Sequence, residues 1–142
     1  VRVALDTNCV ISGFFWRGHE RALLDLARTR QIDAFTSMTL LTELDRVLKR
    51  PKFASRLAAT GVDAITLVTG YASLATVINN PHKIPPVCRD PSDDDVLACA
   101  LAASADVITS GDKDLLVLKC YGQIRIASSA QTLALFHMRP VP

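Results

Sequence analysis

An α/β fold with helices on both faces of a parallel sheet is predicted by three features of this chain. Short β-rich apolar runs alternate with helix-patterned segments along its 142 residues, the pattern of a sheet built from strand–helix–strand units. Two of those runs end in polar turns that carry carboxylates, at Asp6-Thr7-Asn8 and at Ser110-Gly111-Asp112. Seven of the fourteen acidic residues fall between Arg89 and Leu118: Asp90, Asp93, Asp94, Asp95, Asp106, Asp112 and Asp114. In an open α/β sheet, chemistry sits in the crevice beyond the carboxyl ends of the strands. Asp6, Asp112 and Asp114 would emerge there.

The elements follow in order. Val1 to Leu5 is a β-rich run closed by Asp6, with turn-favouring Thr7 and Asn8 after it. Asp6 reads equally well as a plain turn residue or as a functional carboxylate. Cys9, Val10 and Ile11 return to apolar character before Ser12-Gly13. Gly18 to Arg30 patterns as an amphipathic helix, and Ile32 to Phe35 as a second strand. Ser37 or Thr39 can start the next helix, on which Leu40, Leu41, Leu44, Val47 and Leu48 form an apolar stripe. Glu43 flanks that stripe. A carboxylate so near the core is costly unless a partner or a metal satisfies it, although an edge Glu reaching solvent beside Arg46 reads as well.

Pro51 ends this helix, because proline cannot continue the backbone bonding. Short helices over Lys52 to Thr60 and Val62 to Leu74 are expected, parted at Gly61, then a strand over Ala75 to Ile78 and a turn at Asn79-Asn80-Pro81. The segment through Pro85, Pro86 and Pro91 reads as a loop delivering an acidic helix capped by Ser92. Acids in its first turn are favoured by the helix dipole, and Leu97 to Ala103 are good helix formers. Val107 to Thr109 is a buried strand, Leu115 to Leu118 a brief helical turn, Ile124 to Ala127 a last strand, and Ser129 to Met138 a closing helix.

Bulk properties narrow the class. With 142 residues of which 49% are hydrophobic, one folded domain over 1–142 is expected rather than a disordered chain. No run approaches the roughly 18 apolar residues of a membrane span. The start carries no signal-peptide pattern, and Val1 in place of Met suggests that a residue or more precedes it. Cys9, Cys88, Cys99 and Cys120 form no CxxC pair and the three histidines complete no zinc pattern, so a reducing, cytoplasmic setting is expected. The net charge of +2 does not by itself establish a nucleic-acid partner. Its distribution says more: Arg46, Lys49, Arg50, Lys52 and Arg56 cluster, while the carboxylates concentrate elsewhere. A basic rim beside an acidic pocket suits a polyanion cut with the help of a cation.

Asp6, Glu43, Asp94 and the Asp112/Asp114 pair arise from separate elements. If they converge, their repulsion calls for a cation. Oxygen donors without His or Cys suit Mg²⁺ or Mn²⁺ rather than zinc. Such an ion activates water and stabilises a phosphodiester during in-line displacement, while Thr7, Asn8 and Ser110 orient water or a phosphate oxygen. Within Asp93-Asp94-Asp95, at least two are expected to be ordinary helix-start acids, and spacing does not say which one is the ligand.

These residues carry a family resemblance. Asp6-Thr7-Asn8, Glu43 on a leucine-rich helix, Asp94-x-x-Leu97-Ala98 and Thr109-Ser110-Gly111-Asp112-Lys113-Asp114-Leu115 stand in the order and spacing of PIN-domain nucleases over nearly the whole chain. The group most resembled is that of toxin components of toxin–antitoxin systems, related to VapC-type toxins. The resemblance implies a three-layer α/β/α PIN fold with about five parallel strands, and Mg²⁺- or Mn²⁺-dependent cleavage of single-stranded RNA. It matches Asp6, Glu43 and Asp94 to the first three metal-binding acids, and Asp112, with Asp114 retained beside it, to the fourth. Asn8 and Ser110 match supporting polar positions, and Cys9 stands where an aliphatic residue is usual. It also implies a homodimer and a small antitoxin bound near the acidic groove. Arg46, Lys49, Arg50 and Lys52 are the candidate nucleic-acid contacts.

Other readings fit less well. A dehalogenase-like phosphatase needs a second Asp two residues after the first, where this chain has Asn8. A dinucleotide module lacks GxGxxG after the first strand. A nuclease for structured DNA would need clamp elements that the chain is too short to supply. A PIN-fold binding or scaffolding protein without catalysis is the alternative of a different class, and loss of an acid would favour it.

Overall fold

The structure is a computed structural model that describes residues 1–79 and 81–137. In chain order the elements are β1 (Arg2–Leu5), α1 (Thr7–Phe15), α2 (His19–Arg28), β2 (Asp33–Ser37) and α3 (Met38–Leu48). A 3-10 turn (Pro51–Phe53) leads to α4 (Ala54–Thr60), α5 (Ala64–Leu74) and β3 (Thr76–Ile78). The remainder is α6 (Pro91–Ala102), β4 (Val107–Thr109), α7 (Lys113–Leu116), β5 (Cys120–Tyr121), β6 (Ile124–Ala127) and α8 (Ser129–His137). The expected turn residue Asn80 and the expected last helical residue Met138 lie outside the described residues.

The sheet has six strands in the order β3-β2-β1-β4-β6-β5. All neighbours pair in parallel except β5 with β6. The parallel strands are the five read from the sequence. The two-residue β5 was not foreseen: so short a strand has no periodicity, and it exists because Gly122 at φ 60° lets the chain fold back onto β6.

Alternation along the strands divides the core between the two faces of the sheet. Val3 and Leu5 point into one cluster with Val10, Ile11, Leu23, Leu44, Leu48 and Val68, drawn from α1, α2, α3 and α5. Ala4 points the other way, with Phe35 and Ile108, into a cluster with Val96, Leu97, Cys99 and Ala100 of α6 and Leu115 of α7. Strands covered on both faces read as continuous apolar runs. The result is three layers.

From β1 the chain moves outward through β2 to β3, and from β4 it moves the opposite way to β6. The direction of winding therefore reverses between the adjacent strands β1 and β4, and the crevice of an open α/β sheet opens at such a point. Asp6 follows β1 there, Ser110 follows β4, and the Asp6 backbone N–H donates to the Thr109 carbonyl at 3.0 Å.

Two local expectations are corrected. The polar turn expected at Thr7-Asn8 is the first turn of α1, because the Asp6 carboxylate accepts from the Cys9 N–H at 2.8 Å and so caps the helix. Pro91 does not belong to the preceding loop. It is the first residue of α6, where a missing N–H costs nothing, and Asp90 rather than Ser92 is the cap, accepting from the Ser92 N–H at 2.9 Å.

Gly13 lets α2 approach α1. A Cβ there would sit 2.9 Å from Leu24 Cγ, closer still to its Cδ1, and 3.2 Å from the Glu20 carbonyl. The Arg21 guanidinium seals the junction by donating to the carbonyls of Gly13 and, at 2.9 Å, Phe14. Gly13→Val should therefore destabilise the fold by about 2 kcal/mol through overpacking, lowering Tm by roughly 6 °C. An unchanged melting curve would show that the two helices have room to spare.

Candidate active site

At the switch point lies a pocket of about 50 Å³ lined by Asp6, Thr7, Asn8, Glu43, Asp90, Ser92, Asp93, Val96 and Asp112. That volume admits an ion or a water, not a nucleotide, so a polymeric substrate would lie across its mouth. A larger groove of about 660 Å³ runs beside β6 and α8, but no carboxylate lines it.

Each acid arrives on a different element. Asp6 is buried, and besides capping α1 its carboxylate accepts from the Ser110 hydroxyl. Ser110, itself buried, accepts in turn from the Asp112 N–H at 2.9 Å. One hydroxyl thus ties the end of β1 to the turn after β4. The Asp112 carboxylate caps α7 by accepting from the Asp114 N–H at 2.8 Å. Glu43 enters half-buried from the middle of α3. Asp93 enters from the first turn of α6, on the face that carries Val96, Leu97 and Ala100 into the core.

The electrostatics are those of acids held together against their repulsion. Burial pushes the Asp93 carboxyl up to about 7, and Asp112, Asp90, Asp6 and Asp114 add to the rise. Burial also raises Asp6 against the hydrogen bonds from Ser110 and Cys9. Burial raises Glu43 as well, opposed by the Ser92 hydroxyl and by Arg46. Asp90 at the exposed rim is held below the usual carboxylate range by the Ser92 hydrogen bonds and then by Arg46 and Arg50.

The site brings together most of the residues read from the sequence. Asp6, Thr7, Asn8, Glu43 and Asp112 line the pocket, and Ser110 braces it from behind. Asp94, the expected third ligand, is placed elsewhere: its carboxylate accepts from the Cys88 N–H at 2.9 Å and the Val87 N–H at 3.2 Å, and it lines a separate cleft. Asp93 occupies the pocket instead. Asp93 is itself buried on the side of α6 that carries Val96 and Ala100, whereas Asp94, one residue further round the helix, is held by the Val87 and Cys88 N–H groups of the preceding segment. Asp114 is exposed and does not line the pocket.

Asp90 and Ser92 are lining residues that the sequence reading did not assign. An Asp immediately before a Pro that opens a helix is a cap signal that could have located Asp90. Of the basic candidates, Arg46 and Arg50 act on Asp90 at the rim. Lys49 pairs with Asp45 at 2.9 Å, and Lys52 lies 5.0 Å from the centre of the Phe53 ring.

Asp94 fastens the segment 81–90 that leads to the cap of α6. Asp94→Ala should cost about 1–3 kcal/mol, since two backbone donors lose a charged acceptor, and should speed proteolysis within that segment. Equal cleavage rates for the variant and the parent chain would show that the segment is held by other contacts.

The donors can be tested for fit to a divalent cation. Among the described residues, no three His, Cys, Asp or Glu side chains stand close enough together to hold an ion by themselves. Apart from Val96, every side chain lining the pocket offers an oxygen, and Asp93 Oδ2 is buried without a hydrogen-bond partner. This set fits a hard ion such as Mg²⁺ or Mn²⁺ that keeps much of its water and takes one or two carboxylates directly.

The comparisons with known proteins agree with this fold. The sequence model of the PIN domain matches residues 2–114. The chain is 32% identical over 120 residues to the uncharacterized protein MJ1680 of Methanocaldococcus jannaschii, covering 84% of this chain and 76% of that one. Its fold is similar to the crystal structure of VapBC2 from Rickettsia felis bound to a DNA fragment from their promoter. There the TM-score is 0.59 at 13% identity, over 89% of this chain and 97% of that chain. By its sequence and its sheet, this chain belongs to the PIN-domain family.

Proposed function

We propose that the chain is a metal-dependent endoribonuclease that hydrolyses phosphodiester bonds of single-stranded RNA, with Asp6, Glu43, Asp93 and Asp112 as its catalytic acids. The observation that carries this reading is the meeting of Asp6, Glu43, Asp93 and Asp112, each from a different element, in one small pocket with Asp90 at its rim and with Asp93 Oδ2 buried and unpartnered. An Mg²⁺ or Mn²⁺ ion bound there would lower the pKa of a water and offset the charge that develops on the phosphodiester.

The chain's own residues do the positioning. The Ser110 hydroxyl fixes the Asp6 carboxylate and the Asp112 backbone in one frame. Thr7 and Asn8, in the first turn of α1, offer polar groups to water or to a phosphate oxygen. Arg46 and Arg50 stand at the rim where the flanking phosphates would pass, and oriented cations there draw in a polyanion. The Ser92 and Ser110 hydroxyls are engaged in holding the Glu43 and Asp6 carboxylates, and among the described residues no His or Cys lines the pocket, which favours attack by water.

A small antitoxin protein and a second copy of the chain are the partners this reading implies. Four free thiols, one of them on the exposed Cys120, fit a reducing, cytoplasmic setting. No single helix among the described residues is long and apolar enough to cross a membrane.

The test is cleavage of a mixed-sequence single-stranded RNA in Mg²⁺, in Mn²⁺ and in EDTA. Cutting in either metal that stops in EDTA supports the proposal. Binding without cutting would instead support a PIN-fold nucleic-acid-binding protein.

A further inference from the structure

Beyond the acid pocket, the far end of α1 carries an exposed aromatic and cationic patch that the catalytic reading does not use. Trp16, which closes the helix, is the only tryptophan of the chain and is 41% exposed. The Arg56 guanidinium lies 4.6 Å from the centre of its ring. Phe15 meets Trp16 edge-on at 5.8 Å and contacts Phe53 at 5.7 Å. Lys52 Nζ lies over the Phe53 ring, and Arg17 and Arg50 are exposed next to these residues in sequence.

The Trp16 indole keeps an open surface even with Arg56 over its ring. Stacked aromatics flanked by Arg and Lys are the chemistry by which proteins hold single-stranded nucleic acid: every base has a π-face, and each base carries a phosphate. The patch is also continuous with the rim of the acid pocket. Arg46 and Arg50 act on Asp90; Arg50 leads directly into the 3-10 turn with Lys52 and Phe53, and α4 brings Arg56 onto Trp16. Asp6 and Trp16 are the two caps of the same helix, which places them about 15 Å apart. A strand crossing the pocket reaches that far within a few nucleotides.

We infer that Trp16 and Arg56 form a base-stacking subsite for single-stranded RNA, a few nucleotides from the bond cut in the acid pocket. This subsite rests on the ribonuclease reading for its substrate, but its failure is separable from the failure of that reading. Trp16 takes the face of a base, Arg56 the neighbouring phosphate, and Phe15 and Phe53 hold the indole in place.

Because Trp16 is the sole tryptophan, its emission reports the subsite directly. In EDTA, a long oligouridine should quench the emission of the full chain to saturation, and an RNA duplex should not. In Mg²⁺ or Mn²⁺, Trp16→Leu should raise KM for the long oligouridine about tenfold, with kcat nearly unchanged. Trp16→Phe should restore most of the loss. A uridine dinucleotide, too short to reach the patch, should be cut equally by all three proteins. Arg56→Gln should lower the slope of log binding against log salt by about 1.

Failure to quench with the long oligouridine overturns the subsite, and so does equal KM in Trp16→Leu and the parent chain, even though the nuclease stands. Saturable quenching without cleavage under any metal supports the subsite and removes the nuclease reading instead.

Discussion

Asp93→Asn is expected to abolish metal-dependent RNA cleavage and at the same time to raise the melting temperature of the metal-free protein at pH 8. Both effects follow from one geometry. Asp93 is buried in the first turn of α6, its Oδ2 has no partner, and burial together with Asp112, Asp90 and Asp6 pushes its carboxyl up to about 7. An unfolded-chain aspartate titrates near ~3.9. Between these values the native state holds a proton that the unfolded state has released. Stability therefore falls as pH rises from about 4 to about 7 and stays low above that window. Asp6 and Glu43 are raised too and push in the same direction.

Asn removes the charge and keeps the shape. Discounted for water at the pocket mouth, the relief is about 1 kcal/mol, less a few tenths lost from the helix dipole, or on the order of 3 °C in Tm. Adding Mn²⁺ should raise Tm for the parent chain and not for the variant. The measurement is a thermal melt from pH 4 to pH 8, with and without Mn²⁺. A variant that melts lower than the parent at pH 8 would contradict the charged-cluster account.

Asp6→Asn carries the second large effect. Asp6 caps α1, accepts from the buried Ser110 hydroxyl and faces the pocket. Asn retains a side-chain oxygen able to cap the helix, so the fold should survive with little change in Tm. Activity should fall roughly a hundred- to a thousandfold, the scale on which loss of one preorganised electrostatic group is felt. Circular dichroism and the cleavage rate, taken on the same sample, check both halves. Unchanged turnover in a folded Asp6→Asn would sink the four-carboxylate mechanism.

The sequence was most informative where one short element carried one signal. Asp6 and Asp112 were legible because each follows an apolar run at the end of a strand, and Glu43 because it stands beside a leucine stripe. β6 was readable residue for residue as Ile124 to Ala127. α1 was not, since Thr7, Asn8, Val10 and Ile11 favour turns or strands. It is helical because of the Asp6 cap and the burial of Cys9, Val10 and Ile11 against the sheet.

The choice among Asp93, Asp94 and Asp95 turned on rotation about one helix axis. The family spacing matches Asp94, and spacing alone does not choose among the three; in the folded chain Asp93 lines the pocket, while Asp94 accepts from the Val87 and Cys88 N–H groups. Loop contacts such as that of Asp94 with the Val87 and Cys88 N–H groups leave no trace in periodicity, since they join segments whose relative placement only the folded chain defines.

The central claim is that Asp93, with Asp6, Glu43 and Asp112, forms the metal-dependent cutting site while Asp94 serves the loop before α6. It is tested most directly by cleavage of single-stranded RNA in Mn²⁺ by Asp93→Asn and Asp94→Asn, side by side with the parent chain. The account predicts that Asp93→Asn is inactive, whereas Asp94→Asn cuts at a rate within about tenfold of the parent, the lower end of the losses seen for residues that support a metal site from outside it. An inactive Asp94→Asn beside an active Asp93→Asn would contradict it.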